Sequence, residues 1–197
     1  MDPGRISIPI VEIFETVEGE GTRAGFPTVF VRLFGCNLRC VWCDTPYSYP
    51  PAKAERVMTV GEIVEEVNRY GAAHLCLTGG EPLMYGERSA VLIRELAAID
   101  RIVDLHVETN GAIDLSPFID GIDSPKVRYI MDFKLPDSGE TDRMVVGNLA
   151  RLRRQDELKF VIASEADFDY ARRVLETYPT EAQPLFSPVW ESMKPAR

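Results

Sequence analysis

Short apolar runs alternate along the chain with longer segments in which apolar residues recur at helical spacing. The short runs predict strands and the periodic segments predict helices. Strands are predicted over residues 29–34, 74–78, 105–109, 129–133, 158–162 and 184–187. Helices are predicted over residues 59–70, 87–99, 141–154 and 166–178.

Two helix starts have a local cause in the sequence. Thr59 precedes Glu62 at the spacing of a capping box, in which each residue satisfies a backbone N–H of the other. Ser164 or Glu165 leads into acidic residues, which are favourable at the positive end of a helix dipole.

Strands that alternate with helices predict a mainly parallel sheet. About six strands are too few for a closed eight-stranded barrel, so we predict an α/β fold in the form of an open, partial parallel β/α barrel. Functional groups in such folds gather beyond the C-terminal ends of the strands. The conspicuous motifs follow five of the predicted strands, at Cys36, Gly79-Gly80-Glu81, Asn110-Gly111, Lys134 and Ser187-Pro188.

Length and charge limit the possible functions. The 197 residues fit a single domain, which we predict over residues 1–197. The 31 acidic and 22 basic residues give a net charge of −9, which argues against a nucleic-acid surface. No apolar stretch has the length of a membrane span, and no signal core follows the N-terminus. We therefore expect a cytoplasmic protein without a nucleic-acid or membrane partner.

Three cysteines, Cys36, Cys40 and Cys43, lie within eight residues. A structural zinc site needs four ligands, and Cys76 and the histidines His74 and His106 lie in or beside apolar runs, where we expect strand residues. Three thiolates suit a [4Fe–4S] cluster, which then keeps one iron open for a small molecule. Zinc and redox-active thiols are the alternatives.

At these residues the sequence resembles the radical S-adenosylmethionine (SAM) superfamily. Its Cys-x3-Cys-x2-Cys loop matches the three cysteines, and its Gly-Gly-Glu-Pro motif matches Gly79-Gly80-Glu81-Pro82. The resemblance implies a [4Fe–4S] cluster that binds SAM through the open iron and cleaves it reductively to a radical.

A closer resemblance, to the 7-carboxy-7-deazaguanine synthase family, extends from Glu18 through Thr45 and returns near Glu108, Asp132, Lys159 and Ser187. It implies a lyase that converts 6-carboxy-5,6,7,8-tetrahydropterin to 7-carboxy-7-deazaguanine with loss of ammonia, in queuosine precursor biosynthesis. SAM would be regenerated as a true cofactor. Typical members carry Gln where this chain has Glu18.

The resemblance also implies residues that hold SAM. Gly79 and Gly80 would let the backbone approach the methionine part of SAM, and Glu81 would accept from its ammonium group or organise the loop. Glu108 and Asn110 suit ribose hydroxyls, and a solvated turn at Asn110-Gly111 is the alternative.

Four further residues would border SAM. Asp132, Phe133 and Lys134 end the fourth predicted strand, and Lys134 would pair with the SAM carboxylate or form an ion pair with Asp132 or Asp137. Trp42 would shield the cluster or pack on adenine, and a core position is its alternative.

For the pterin, Arg32 offers a bidentate partner for the carboxylate. Glu20 and the backbone of Val17, Glu18 and Gly19 would read the pyrimidine edge, with Thr78 and Ser187 as further candidates. The resemblance implies Mg²⁺ between Thr45 and the substrate carboxylate, with a turn residue as the alternative for Thr45. It also suggests a homodimer and a flavodoxin-like electron donor.

Two other functions are weighed against this one. A glycyl-radical-enzyme activase uses the same cysteine spacing, but its sequences usually read Asp-Gly-Pro-Gly where this chain reads Glu18-Gly19-Glu20-Gly21. A non-enzymatic iron–sulfur or zinc module would explain the cysteines, but not why the other motifs share one edge of the sheet.

Overall fold

A computed structural model describes residues 2–190 and 192. Met1, Glu191 and residues 193–197, which the single-domain prediction includes, lie outside the described residues. The described chain contains strands β1 Ser7–Val17, β2 Pro27–Leu33, β3 Arg56–Thr59, β4 His74–Gly79, β5 Asp104–Thr109, β6 Val127–Asp132, β7 Glu157–Ile162 and β8 Gln183–Pro188. Its helices are α1 Val60–Val67, α2 Glu87–Ala97, α3 Ser116–Gly121 and α4 Glu165–Thr177.

The eight described strands form one sheet in the order β3-β1-β2-β4-β5-β6-β7-β8. From β2 through β8 every pair is parallel, so the six predicted strands and their parallel arrangement are confirmed. Strands β1 and β3 were not predicted, and they add an antiparallel extension beside β2. Within the described residues β3 and β8 are the two ends of the sheet, so the prediction of an open barrel is confirmed.

Local signals place α1 and α4 where they were expected. The Thr59 hydroxyl accepts from the Glu62 N–H at 3.2 Å, and the Glu62 carboxylate accepts from the Thr59 N–H at 2.7 Å. Ser164 caps α4 by accepting from the Asp167 N–H at 3.2 Å. Both capping predictions are confirmed, although α1 ends at Val67, three residues before its predicted end.

The predicted helix over residues 141–154 is wrong. The segment forms two short 3-10 turns, Thr141–Arg143 and Val146–Ala150. The backbone of Val145, which is not helical, lies between them. The Asn148 amide fixes the second turn, because it donates to the Ile113 carbonyl at 2.8 Å and its oxygen accepts from the Leu115 N–H at 2.9 Å. Tertiary hydrogen bonds override the helical periodicity here.

The two faces of the parallel sheet have opposite character. Alternate residues such as Leu75, Val107 and Phe160 point to the helices and form the buried core. The intervening residues, which include Thr78 and Lys159, point to the inner face of the partial barrel and are mostly polar. The inner face of the partial barrel can therefore offer hydrogen-bonding and charged groups to a polar ligand, while the opposite face packs against the helices. None of the described helices is long and apolar enough to cross a membrane.

Candidate active site

The three cysteines lie in the loop that follows β2. The Gly35 N–H donates to the Ser48 carbonyl at 2.6 Å, which closes the loop at its base. Cys36, Cys40 and Cys43 are free and partly exposed. Their sulfur atoms are therefore accessible to a ligand at the C-terminal end of the sheet.

Burial raises the pKa of the Cys36 thiol and raises that of Cys40 to about 11. The negative charges of the other cysteines act in the same direction on both groups, while Lys134 opposes them at Cys40. Three neighbouring thiolates at this place need a cation among them. The donor set therefore fits an iron–sulfur cluster held by three thiolates.

Gly79 and Gly80 let the loop after β4 pack directly on the cysteine loop. A Cβ on Gly80 would lie 2.1 Å from the Gly35 carbonyl oxygen and 2.7 Å from Cβ of Cys36. Gly79 has a φ of 151°, and a Cβ there would lie 2.4 Å from the Leu33 carbonyl oxygen. Gly80 thus sets the distance between the two loops, and Gly79 sets the distance between the ends of β2 and β4. Neither role was predicted from the motif.

Glu81 is completely buried and binds its own chain. Its carboxylate accepts from the Leu83 N–H at 2.9 Å, the Thr109 hydroxyl at 3.0 Å and the Asn110 N–H at 2.7 Å. Burial raises the pKa of Glu81 to about 7, against the opposing effect of these hydrogen bonds. These contacts join the loops after β4 and β5. Glu81 therefore organises the loops, which is one of the two roles predicted for it.

Asn110 also contacts the cysteine loop. Its side-chain N–H₂ donates to the Asn37 side-chain oxygen at 2.8 Å and lies 3.7 Å from the Cys36 sulfur. Its own oxygen accepts from the Ala112 N–H at 3.0 Å. Asn110 is therefore placed beside a predicted cluster ligand, although its amide is engaged by the protein itself.

The residues at the end of β6, which were predicted together as a border of the SAM site, point in different directions. Lys134 forms an ion pair with Asp132 at 2.6 Å, the alternative that was left open for it. Burial alone would lower the pKa of Lys134, but Asp132 and Cys40 raise it overall, so the lysine stays charged beside the cysteine loop. The Phe133 side chain packs in the core against Phe160 and does not face the site.

A cavity of about 170 Å³ opens on the inner face of the barrel. It is lined by Glu20, Gly21, Glu108, Ile130, Lys159, Leu185, Phe186 and Ser187. Glu108 accepts from the Thr78 hydroxyl at 2.8 Å, so two residues that the sequence reading assigned to different ligands lie in contact.

Lys159 is a charged pocket residue that was not among the predicted site residues. It forms an ion pair with Glu20. Burial would lower its pKa, but Asp132, Glu108 and Glu20 raise it overall, so Lys159 is a cation in the pocket. A polar residue in an otherwise apolar strand was the available signal, since alternate strand residues face the same side.

Arg32 lies on the inner face with Glu12 beside it on β1. The carboxylate of Glu12 accepts from Nε of Arg32 at 2.8 Å. No described residue hydrogen-bonds to the two Nη groups of Arg32, so these donors remain for a ligand. Glu12 was not a candidate because β1 was not predicted.

The remaining candidates lie around these groups. The hydroxyl of Thr45 is 3.8 Å from the Cys43 sulfur, and Trp42 between the cysteines is partly exposed. Val17 is exposed, whereas the buried Glu18 accepts from the N–H groups of Gly19 and Glu20 at 3.0 and 3.2 Å. The carboxylate of Glu18 therefore shapes the turn after β1.

Known proteins resemble this chain over almost all of its length. The sequence model of the Radical SAM superfamily matches residues 31–124. A 7-carboxy-7-deazaguanine synthase from Methanospirillum hungatei JF-1 is 38% identical over 181 residues, which cover 92% of this chain and 72% of that one. Another, from Thermoplasma acidophilum, is 37% identical over 187 residues, covering 93% and 83%. This chain belongs to the 7-carboxy-7-deazaguanine synthase family.

The fold agrees with this membership. The crystal structure of QueE from Escherichia coli superposes with a TM-score of 0.74 at 21% identity, and the match covers 96% of this chain and 88% of that one. The chain is thus a radical SAM enzyme, and its family implies a [4Fe–4S] cluster and SAM. Family membership excludes the activase and the non-enzymatic module as interpretations of the cysteine loop.

Proposed function

We propose that this synthase-family chain converts 6-carboxy-5,6,7,8-tetrahydropterin to 7-carboxy-7-deazaguanine with loss of ammonia. The observation that carries the proposal is the identity of 37–38% to synthases across more than nine-tenths of the chain. The inner-face cavity supports it, because cationic Lys159 and acidic Glu20 and Glu108 offer donors and acceptors to a polar heterocycle.

Cys36, Cys40 and Cys43 would hold the cluster, whose open iron binds SAM. When bound, the two groups together supply the one-electron chemistry that starts the reaction. The chain itself fixes the loops around them, through Gly80 against the cysteine loop and Glu81 between its neighbours.

Other residues border the proposed SAM site at the C-terminal ends of β4, β5 and β6. Asn110, Asp132 and Lys134 provide an amide, a carboxylate and an ammonium group beside the cysteines. Trp42 lies between two of the proposed cluster ligands. The backbone of Gly79 and Phe133 and the carboxylate of Glu108 complete the proposed set.

Arg32 and the Glu20–Lys159 pair would orient the pterin. The free Nη groups of Arg32 suit a carboxylate, with which arginine forms paired, charge-assisted hydrogen bonds. The pyrimidine edge of a pterin presents two N–H donors beside a carbonyl acceptor. Glu20 would accept from the donors, and Lys159 would donate to the carbonyl. Thr78, Ser187 and the backbone of Val17 and Gly19 would complete this site.

Further expectations belong to the same proposal. Mg²⁺ would join the Thr45 hydroxyl to the substrate carboxylate, since this ion commonly binds through few protein oxygens. A homodimer and a flavodoxin-like one-electron donor are proposed from the resemblance alone. A cytoplasmic location is proposed because cysteines that ligate iron must stay reduced.

The proposal is tested by turnover. Anaerobically reconstituted protein is incubated with SAM, a reductant and 6-carboxy-5,6,7,8-tetrahydropterin, and the products are read by mass spectrometry. We expect 7-carboxy-7-deazaguanine, formed faster with Mg²⁺. SAM cleavage that continues without any deazapurine would contradict the substrate assignment, and equal rates with and without Mg²⁺ would remove the ion from the proposal.

Replacing Arg32 by alanine is expected to weaken pterin binding and leave SAM cleavage intact. Hydrogen bonds to a charged group contribute about 1.5–3 kcal/mol, so KM should rise by roughly 10- to 150-fold. Steady-state kinetics with varied pterin measures this change, and SAM cleavage without pterin is the second readout.

Two matched variants distinguish the contribution of the Arg32 guanidinium to pterin binding from that of its ion pair with Glu12. Arg32→Lys keeps the charge without the planar fork and should recover part of the affinity. Glu12→Gln removes the partner carboxylate at Nε and should leave KM within about threefold, because the Glu12 side chain is 40% exposed and an ion pair open to solvent on one side contributes little. An unchanged KM in Arg32→Ala would place the substrate carboxylate elsewhere.

A further inference from the structure

The turn between β1 and β2, residues 18–26, lies across the inner face at the N-terminal ends of the parallel strands. It is held there by polar contacts to strands far away in sequence. These contacts pair Glu18 with His106, Arg23 with Asp104, Thr22 with Glu157 and Glu20 with Lys159. The turn therefore closes one end of the partial barrel and carries Glu20 into the wall of the pocket.

His106 is the buried centre of this arrangement, and its side chain is 0% exposed. Its Nε2 lies 2.9 Å from a carboxylate oxygen of Glu18, and its Nδ1 lies 3.3 Å from a carboxylate oxygen of Asp104. An ionised carboxylate only accepts hydrogen bonds. With an ionised carboxylate at each nitrogen, both nitrogens can donate only if each carries a proton, so this geometry favours the imidazolium.

The surrounding groups fit this charge. Burial alone would raise the pKa values of Glu18 and Asp104. Their hydrogen-bond partners, of which His106 has the largest effect, hold both pKa values below the usual range. Arg23 and Arg128 both pair with Asp104, and Arg128 also pairs with Glu157. Among the groups joined by these direct contacts, three carboxylates face two guanidinium groups, and a protonated His106 balances their charges.

Other titratable groups close to the ring act in both directions: Glu108 raises the pKa of His106 and Arg128 lowers it, and the overall shift is upward. On β5 itself they are Asp104 and Glu108, on β4 they are His74 and Cys76, and on β6 the group is Arg128. Donor atoms of Glu18, Cys76 and His106 lie within 4.8 Å of one another. Glu18 and His106 already hydrogen-bond directly, so we assign an ion pair here and not a metal site.

We propose that His106 is a positioning residue, whose imidazolium holds Glu18 and through it the 18–26 turn, and so places Glu20 against the pterin. The proposal rests on the proposed function in that Glu20 contacts the substrate. Glu18 carries the connection, because one carboxylate oxygen binds His106 while the other accepts from the N–H groups of Gly19 and Glu20.

The arrangement has a defined pH dependence. Burial would lower the pKa of His106, but Asp104 and Glu18 raise it above the value of 6.5 that applies to an exposed histidine. The stabilisation of the turn is therefore fully present below pH 6.5 and is lost as the pH rises through the raised pKa. We expect KM for the pterin to rise on the alkaline side of that pKa.

The charge of His106 is tested on the holoenzyme by ¹⁵N NMR of labelled histidine. The chain has two histidines, so His74 serves as an internal control. His106 should show two protonated nitrogens at pH 6.5 and lose one of them at a higher pH than His74, whose pKa burial lowers. A neutral His106 ring at pH 7 would overturn the proposal.

The positioning role is tested by kinetics of Glu18→Gln and His106→Gln. Glu18→Gln keeps the hydrogen-bonding shape but removes one carboxylate from the imidazolium, so the pH at which KM rises should fall by at least about one unit. His106→Gln should raise KM at least about tenfold at pH 7, with kcat within about twofold and SAM cleavage without pterin unchanged. An identical pH profile in Glu18→Gln would leave His106 with a structural role only and overturn the proposal.

Hydrogen exchange separates failure of this inference from failure of the proposed function. The amides of residues 18–26 should exchange about tenfold faster in His106→Gln than in the unaltered holoenzyme, whichever substrate the enzyme uses. If unaltered enzyme cleaves SAM but never converts the pterin, the proposed function fails and the NMR and exchange results decide the role of His106. Unchanged exchange in a folded His106→Gln variant would overturn that role.

Discussion

Replacing Cys40 by serine is expected to abolish the iron–sulfur cluster and all SAM cleavage. Three thiolates are the complete protein ligand set that the cysteine loop offers, and a serine hydroxyl is a poor ligand for this soft site. Because Cys40 is only partly buried, folding stability should change by about 1 kcal/mol or less. Iron content, visible absorbance and SAM cleavage after anaerobic reconstitution measure the effect.

Cys76 provides the matched control within the same chain. It is fully buried in β4, away from the cysteine loop, and burial raises the pKa of its thiol well above the usual value. Cys76→Ala should therefore bind as much iron as the unaltered protein. Full cluster content in Cys40→Ser, or its loss in a folded Cys76→Ala, would contradict the assignment of the ligands.

Replacing Gly80 by alanine is expected to displace the cysteine loop. The added Cβ would lie 2.1 Å from the Gly35 carbonyl oxygen, so one of the two backbones must move. Overpacking of this kind costs about 1–3 kcal/mol, which corresponds to roughly a 5- to 150-fold loss in the occupancy of the intact site. Iron retained per chain and the SAM cleavage rate should both fall, while the helical content stays.

Gly61 is a suitable comparison because it is a glycine in helix α1 whose added Cβ would meet only the Thr59 hydroxyl at 4.0 Å. Alanine is favoured over glycine within a helix by about 0.5–1 kcal/mol. Gly61→Ala should therefore keep full activity and melt at the same or a higher temperature. Normal iron binding in Gly80→Ala would show that the two loops are not in close contact.

The sequence predicted the parallel part of the fold because each of those strands is a short apolar run between helices. Strand β1 was not predicted because Glu12 and Glu15 interrupt its apolar residues. Strand β3 was not predicted because its four residues are too few to show a pattern. The false helix over residues 141–154 has apolar residues at helical spacing. Its conformation depends on Asn148, whose partners come from another part of the chain.

For the site, sequence motifs located the loops but not the contacts between side chains. The cysteine and Gly-Gly-Glu-Pro motifs do meet at one end of the sheet, as the strand-end rule predicts. The Glu81 carboxylate spans two loops, and this role is visible only when Thr109 and Asn110 are placed beside it.

His106 and Lys159 are two further residues whose roles the sequence motifs did not identify. Each is a polar residue with apolar neighbours in a strand, a pattern that marks the face on which it lies but does not distinguish a functional side chain from an ordinary strand residue. Their importance comes from the 18–26 turn, which brings Glu18 and Glu20 to them across more than eighty residues of sequence. Contacts of that range are set by the topology of the sheet and not by local pattern.

The central claim is that three thiolates leave one iron of the cluster open to SAM, and electron–nuclear double resonance tests it most directly. The reduced holoenzyme is measured with SAM that carries ¹⁵N in its amino group and ¹⁷O in its carboxylate. We expect strong couplings from both labels to the cluster in the unaltered enzyme and none in Cys40→Ser. A cluster without such couplings, or with a fourth protein ligand on the open iron, would contradict it.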